Sequence, residues 1–250
     1  MSGHSKWHSI KHQKAKEDKK RGLVFSKLVR EITMSARQGG GDPSMNARLR
    51  LAIEKAGEAN MPKDNIEKAV KRGTGELPGV TYTEAVYEGY GPGGVAVMVN
   101  AATDNRNRTA SEMRRIFSDN GGNLGETGCV NWMFQKKGYI SIDKKKISEE
   151  DILEHVISLD VEDVKTGDDE FYEILTDPLN FSSVRDRLSE IIELDNAEIT
   201  MMPNTYIRLE GIEAKKMLKL MEKLEDNDDV QQVYANFDIP SHEMEDLAEA

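Results

Sequence analysis

The stretch from Gly138 to Pro203 limits the possible folds more than any other part of the chain. It reads "GYISID", a helical pattern over 149–159, "VEDVKTG", "EFYEILTD", a second helical pattern over 181–194, and "AEITMMP". Strand-like runs and helical stripes in this order spell β-α-β-β-α-β, a complete ferredoxin-like unit in about 65 residues. Such a unit closes its own sheet. The blocks on either side of it do not. Residues 81–135 give only β-β-α-β: two strand-like runs in "EAVYEGYGPGGVAVMVNA", a helix with Thr109 and Glu112 at capping-box spacing, and "CVNWMF" as a further strand. Residues 205–238 give β-α-β, from "TYIRLEG" through a helix over 214–226 to "VQQVYANF". Each is too small to bury a sheet, and together they suffice. The predicted arrangement is a discontinuous α+β domain from 81–135 plus 205–238, with a ferredoxin-like domain, 136–204, inserted in it. Residues 239–250 read as an acidic, loose tail.

Before residue 80 the periodicity is helical throughout. Phe25, Leu28, Val29, Ile32 and Ala36 fall on one stripe that ends at the glycines 39–41. Leu49, Ala52, Ile53 and Ala56 make a second stripe. Ile66, Ala69 and Val70 make a third, which starts after Pro62 and is predicted to stop at Gly73. Three stripes are what a small bundle needs. "GTGELPG" then reads as a linker. The fold class is α+β and multi-domain, an N-terminal helical bundle (1–80 with its basic arm) followed by two α+β domains.

Charge is distributed as unevenly as periodicity. The chain carries a formal net charge of -11, yet residues 1–80 hold 17 Lys and Arg against 9 Asp and Glu. The remaining 170 residues hold 17 against 36. A basic end on an acidic body points to a polyanion partner, because the body itself repels nucleic acid. The candidate phosphate-binding residues are Lys6, Lys11, His12, Lys14, Lys16, Lys19, Lys20 and Arg21. Trp7 is the aromatic among them, placed to stack on a base or to pack on the bundle. His4, His8 and His12 recur every four residues and invite a metal reading. No cysteine or carboxylate joins them before Glu17, so anion attraction is the better account and no metal site is predicted.

Other stretches carry less. "GYGPGG" resembles a phosphate-cradling loop, but a strand follows it where such loops need a helix, so it reads as a hairpin turn. In "TDNRNRT", Arg106 and Arg108, with Arg114 and Arg115 farther along the helix, form a basic island in the acidic body. A second anion site and internal pairing with nearby carboxylates are equally good accounts of it. The sequence holds one cysteine, Cys129, which excludes an intramolecular disulfide. It lacks His-Glu-x-x-His, Gly-x-Ser-x-Gly and any Ser/His/Asp set the topology would assemble, so no catalytic residue, cofactor or small-molecule substrate is predicted. The opening residues lack a secretory signal and no apolar run spans a bilayer. Together these make the expectation a cytoplasmic protein with no membrane partner.

The segments "GHSKWHSIKHQKAKEDKKRG", "FSKLVREI", "NMPKDNIEKAVKRGTG", "YEGYGPGGVAV", "TDNRNRT" and "GGNLGETGCVNWMF" together resemble the YebC family, in matching order over essentially the whole chain. The resemblance implies three domains, one helical and two α+β with one inserted, and a non-enzymatic role in gene expression. Bacterial members of the family are described as DNA-binding transcriptional regulators, and mitochondrial relatives as translational activators. The expected function is therefore nucleic-acid binding, with DNA-directed transcriptional regulation first and a ribosome- or rRNA-associated translation factor as the alternative. A metal-dependent nuclease built on the three histidines is a remote third.

Overall fold

The computed structural model describes residues 18–168 and 170–240, with side chains described from Arg21 onward. Among these residues it holds seven α-helices and ten strands. The bundle consists of α1 (Asp18–Gly39), α2 (Ala47–Glu58) and α3 (Lys63–Thr74). Ile32 and Ala36 from α1, Leu49, Ala52 and Ala56 from α2, and Ala69 from α3 form its core. The four alanines among them let the helices cross closely around Ile32 and Leu49. A Cβ on Gly73 would lie 2.4 Å from the Thr33 carbonyl oxygen and 2.7 Å from Ala36 Cβ. Gly73 is thus a packing residue inside α3 rather than its stop signal. The stop is Gly75, whose φ of 85° closes the helix in the left-handed conformation.

The first sheet has strand order β3-β1-β2-β9. Its strands are β1 (Thr83–Tyr90), β2 (Ala96–Thr103), β3 (Asn123–Leu124) and β9 (Val230–Ala235). Between β1 and β2 the chain turns through Pro92–Gly94, with Gly93 at φ 70° and Gly94 at φ 78°. "GYGPGG" is accordingly the hairpin turn expected. The helices α4 (Arg106–Asp119) and α7 (Gly211–Glu225) cover one face. Val97 and Val99 of β2 meet Met113, Phe117, Met217, Leu220 and Met221 there. The alternate residues Ala96 and Met98 point the other way, against Val130, Phe134 and Tyr234. A strand buried on both faces is necessarily apolar throughout, which is why "VAVMV" shows no alternation.

The nesting is carried by β9, which pairs antiparallel with β2 (Val97↔Ala235, Asn100↔Gln232) across more than 130 intervening residues. The flanking strand expected at "TYIRLEG" does less. It shrinks to β8 (Ile207–Arg208), which pairs parallel with β10 (Phe237–Asp238) and stays outside the four-stranded sheet. Ile239, assigned by sequence to the loose tail, is buried in the core around α7. The rest of that tail, from Ser241 on, lies outside the described residues.

The inserted sheet has order β5-β6-β4-β7, all neighbours antiparallel, which is the ferredoxin-like order. Its strands are β4 (Phe134–Asp143), β5 (Asp163–Lys165), β6 (Phe171–Thr176) and β7 (Asn196–Pro203). The helices α5 (Glu149–Val156) and α6 (Phe181–Ser189) pack on it through Ile152, Val156, Phe181, Val184 and Leu188. Both helices end a few residues earlier than their periodicity suggests, because the last apolar residues of each stripe belong to turns. β4 is longer than expected. Its first residue, Phe134, belongs to the core of the first sheet, so β4 and its partner β7 (Phe134↔Pro203) are the stalk joining the two.

Candidate nucleic-acid interface

Of the predicted arm, Lys6, Trp7, Lys11, His12, Lys14 and Lys16 lie outside the described residues, as do His4 and His8. Lys19 and Lys20 fall on the first turn of α1. Arg21 is exposed, its guanidinium 5.4 Å from the centre of the Phe25 ring. The next basic residues on α1 turn inward. Lys27 donates from Nζ to the Glu225 carbonyl oxygen (2.5 Å), at the carbonyl-rich C-terminal end of α7. Arg30 donates to the Asp228 carbonyl oxygen and pairs with the Asp229 carboxylate at 3.1 Å. The bundle is thus tied to the first sheet through α1.

Asp229 is the centre of a larger network. Its carboxylate also accepts from Thr109 Oγ1 (2.7 Å), Thr103 Oγ1 (3.1 Å) and Arg108 Nη2 (2.6 Å). Its side chain is 4% exposed. Burial pushes its carboxyl pKa up. The Thr109 and Arg108 hydrogen bonds and the charges of Arg30 and Arg108 outweigh that and hold it below the ordinary value. The same bonds, to Asp229 first and to Asp104 second, raise the pKa of the Arg108 guanidinium. Thr109 therefore sits in the interior of α4 as a buried hydrogen-bonding residue, not at its start. The cap is Asn105, whose side chain accepts from the Arg108 N–H at 3.1 Å.

This divides the basic island. Arg108 bridges Asp104 (2.8 Å) and Asp229, and Arg106 donates to the Glu84 carbonyl oxygen at 2.7 Å. Both are engaged internally, Arg108 with carboxylates and Arg106 with a backbone carbonyl. Arg114 and Arg115 stand exposed on the outer face of α4 with no partner among the described residues. They are the part of the island open to an anion.

The loop joining β3 to β4 holds a feature that reading by sequence missed. Glu88, on β1, is 3% exposed. Its carboxylate accepts from the backbone N–H groups of Gly128 (2.7 Å), Val130 (2.8 Å) and Asn131 (2.8 Å). With these donors turned toward Glu88, residues 129–131 cannot form a ladder. "CVNWM" is consequently a turn with a short 3-10 segment, Asn131–Met133, and only the final Phe134 of "CVNWMF" lies in a strand. The turn presents Trp132, which is 71% exposed. Trp132 Nε1 donates to the Cys129 carbonyl oxygen at 3.1 Å, and Tyr90 Oη donates to that same oxygen at 3.1 Å. Asn204 reaches the Trp132 carbonyl oxygen at 3.4 Å. The signals available in sequence were a carboxylate facing the interior of a strand and a tryptophan in a glycine-rich loop. Burial, then the Glu88 carboxylate, pushes the Cys129 thiol beside them above its ordinary pKa.

No group of three or more His, Cys, Asp or Glu among the described residues is arranged to hold a metal ion. No helix among them is long and apolar enough to cross a membrane.

Residues 5–76 match the TACO1/YebC protein N-terminal domain, and residues 82–237 match the TACO1/YebC second and third domain. A protein of Persephonella marina named "Probable transcriptional regulatory protein" is 56% identical over 250 residues, covering 99% of this chain and 100% of its own. A protein of the same name from Dictyoglomus turgidum is 55% identical over 250 residues, with the same coverage. The crystal structure of a conserved hypothetical protein from Aquifex aeolicus superposes with a TM-score of 0.79 at 50% identity, over 91% of this chain and 94% of that one. The two matched regions, 5–76 and 82–237, take in nearly the whole chain, and the chain belongs to the TACO1/YebC family.

Proposed function

We propose that this protein is a cytoplasmic, non-enzymatic nucleic-acid-binding regulator of gene expression, with DNA-directed transcriptional control as the first assignment. The observation that carries the reading is the charge split, a basic first third on a strongly acidic remainder. Lys6, Lys11, His12, Lys14, Lys16, Lys19, Lys20 and Arg21 supply phosphate neutralisation, which gives affinity but reads no sequence. Arg114 and Arg115 are a candidate second contact. The names of the relatives support a regulatory role.

A second reading, a translation factor on ribosomal RNA, is favoured by one specific observation. Among the described helices none exposes an aligned set of Arg, Asn and Gln fit to read base edges in a major groove. The Arg108 end of α4, the best placed, is consumed by Asp104 and Asp229. The test is crosslinking in cells at physiological salt, with sequencing of both DNA and RNA. Discrete promoter peaks are expected on the first reading. Ribosomal RNA crosslinks with no promoter enrichment would replace it with the second, and crosslinks to neither would overturn both.

A further inference from the structure

We propose that Trp132 is a stacking platform for an unpaired base of a single-stranded nucleic acid, a contact separate from the phosphate-binding arm. The inference rests on the nucleic-acid reading above. A tryptophan at 71% exposure ordinarily folds back onto apolar neighbours; this one is held out. Its indole N–H is committed to the Cys129 carbonyl oxygen, and Tyr90 is tied to that same oxygen. The loop behind both is fixed by three backbone N–H groups on the buried Glu88 carboxylate. The ring is therefore oriented before any ligand arrives, so little side-chain entropy is lost on contact. With its only polar atom occupied, what it offers is a π-face.

The surroundings select the ligand. Among residues 123–136, Trp132 is the only exposed large apolar side chain, and the exposed aromatic beside it, Tyr90, has its hydroxyl on the same carbonyl oxygen. Protein-binding hot spots sit among further apolar groups that exclude water, and this ring has none on its loop. Its exposed neighbours in sequence are Asn131, Gln135 and Lys136, whose polar heads have no partner among the described residues. Amides complement base edges and an ammonium complements a phosphate, so an unstacked base is the partner this chemistry fits. Glu126 is exposed on the same loop, so the platform holds its ligand by stacking rather than by charge.

The chain has two tryptophans, so Trp7→Phe leaves Trp132 as the sole indole reporter. Titrating that full-length variant with single-stranded RNA and DNA oligonucleotides should quench its fluorescence saturably. The response should be smaller with a double-stranded probe and absent with an abasic strand. Whichever of RNA and DNA quenches at the lower concentration is the preferred source of the base. In the otherwise natural chain, Trp132→Ala should weaken single-strand binding about tenfold, with the slope of affinity against salt unchanged. Trp132→Phe should restore much of the loss, and both variants should melt near the parent. Unquenched fluorescence with equal affinities of parent and Trp132→Ala would overturn the platform while leaving the electrostatic arm intact, and would assign the ring to a protein contact. A parent that binds no oligonucleotide even at low salt would remove the platform and the proposed function together.

Discussion

Asp229→Ala tests the account of how the bundle is held on the sheet. The carboxylate is 4% exposed and lies against Arg30, Arg108, Thr103 and Thr109. Removing one partner from a buried ion pair costs about 3–5 kcal/mol when the other charge is stranded. Here the stranding is partial. The two threonine hydroxyls keep each other at 2.7 Å, and Thr109 keeps the Asn105 carbonyl at 3.1 Å. Arg108 is 44% exposed and returns to Asp104 and water, while Arg30, 16% exposed, retains the Asp228 carbonyl. The expected loss is therefore about 2–3 kcal/mol, or about 4–12 °C in Tm for a chain of this length. The pH dependence supplies an independent check. The Asp229 carboxyl is held below its ordinary value of 3.8, so the unfolded chain takes up the proton first. Its stabilisation is complete above the unfolded value and is lost as pH falls below 3.8 through the folded one. Urea unfolding followed by circular dichroism, from neutral pH down to about pH 2, should show the gap between the two proteins narrowing as the pH falls below 3.8. An Asp229→Ala protein within about 0.5 kcal/mol of the parent at neutral pH, with the same acid profile, would refute the hub.

Three further outcomes are expected. Deleting residues 1–22 should leave the described fold intact and abolish most nucleic-acid binding; with about six phosphates neutralised, the parent's log–log salt slope is about -5 and the deleted chain's close to zero. Glu88→Gln replaces one acceptor oxygen by an amide that faces N–H donors, so it should cost about 2–3 kcal/mol and increase acrylamide quenching of Trp132, measured in the Trp7→Phe background. A fragment of residues 134–204 should fold alone, since it contains all four strands and both helices of its sheet, whereas 81–135 lacks β9 and should give a collapsed NMR spectrum.

The architecture was legible because its parts obey local rules. The β-α-β-β-α-β order of 138–203 admits few sheets, and the incompleteness of its flanks required β9 to come back to β2. What was illegible shares one cause, tertiary partners that override local chemistry. Gly73 looks like a stop signal, yet its lack of a side chain serves the α1–α3 crossing. Thr109 looks like a cap, yet its hydroxyl belongs to Asp229, 120 residues away. "CVNWMF" has strand composition, and Glu88, some 40 residues earlier, takes the N–H groups a strand would need. The arginine island was readable as an island, but its division between Arg106/Arg108 and Arg114/Arg115 depends on where Asp229 and the Glu84 carbonyl lie. No periodicity contains that information.

The hub also bears on how an acidic protein could use a basic arm. Lys27 and Arg30 meet the Glu225 and Asp228 carbonyls and the Asp229 carboxylate, so α1 is anchored where the body presents negative charge and negative dipole ends. Toward its start the helix emerges: Arg21, Gly22, Val24 and Ser26 are exposed. At 1.5 Å per residue the first turn stands about 18 Å along the axis from Arg30. That is about two Debye lengths at physiological salt, so the field of Asp228 and Asp229 has largely decayed there. On the proposed reading, lysines carried beyond that point respond to a phosphate backbone rather than to their own protein. Cutting the anchor should then act on binding indirectly. Arg30→Met would free α1 to move over the acidic body and lower the association rate with a polyanion at low salt, while leaving every arm lysine in place. An association rate equal to the parent's in stopped-flow mixing would show that the position of α1 is irrelevant to binding.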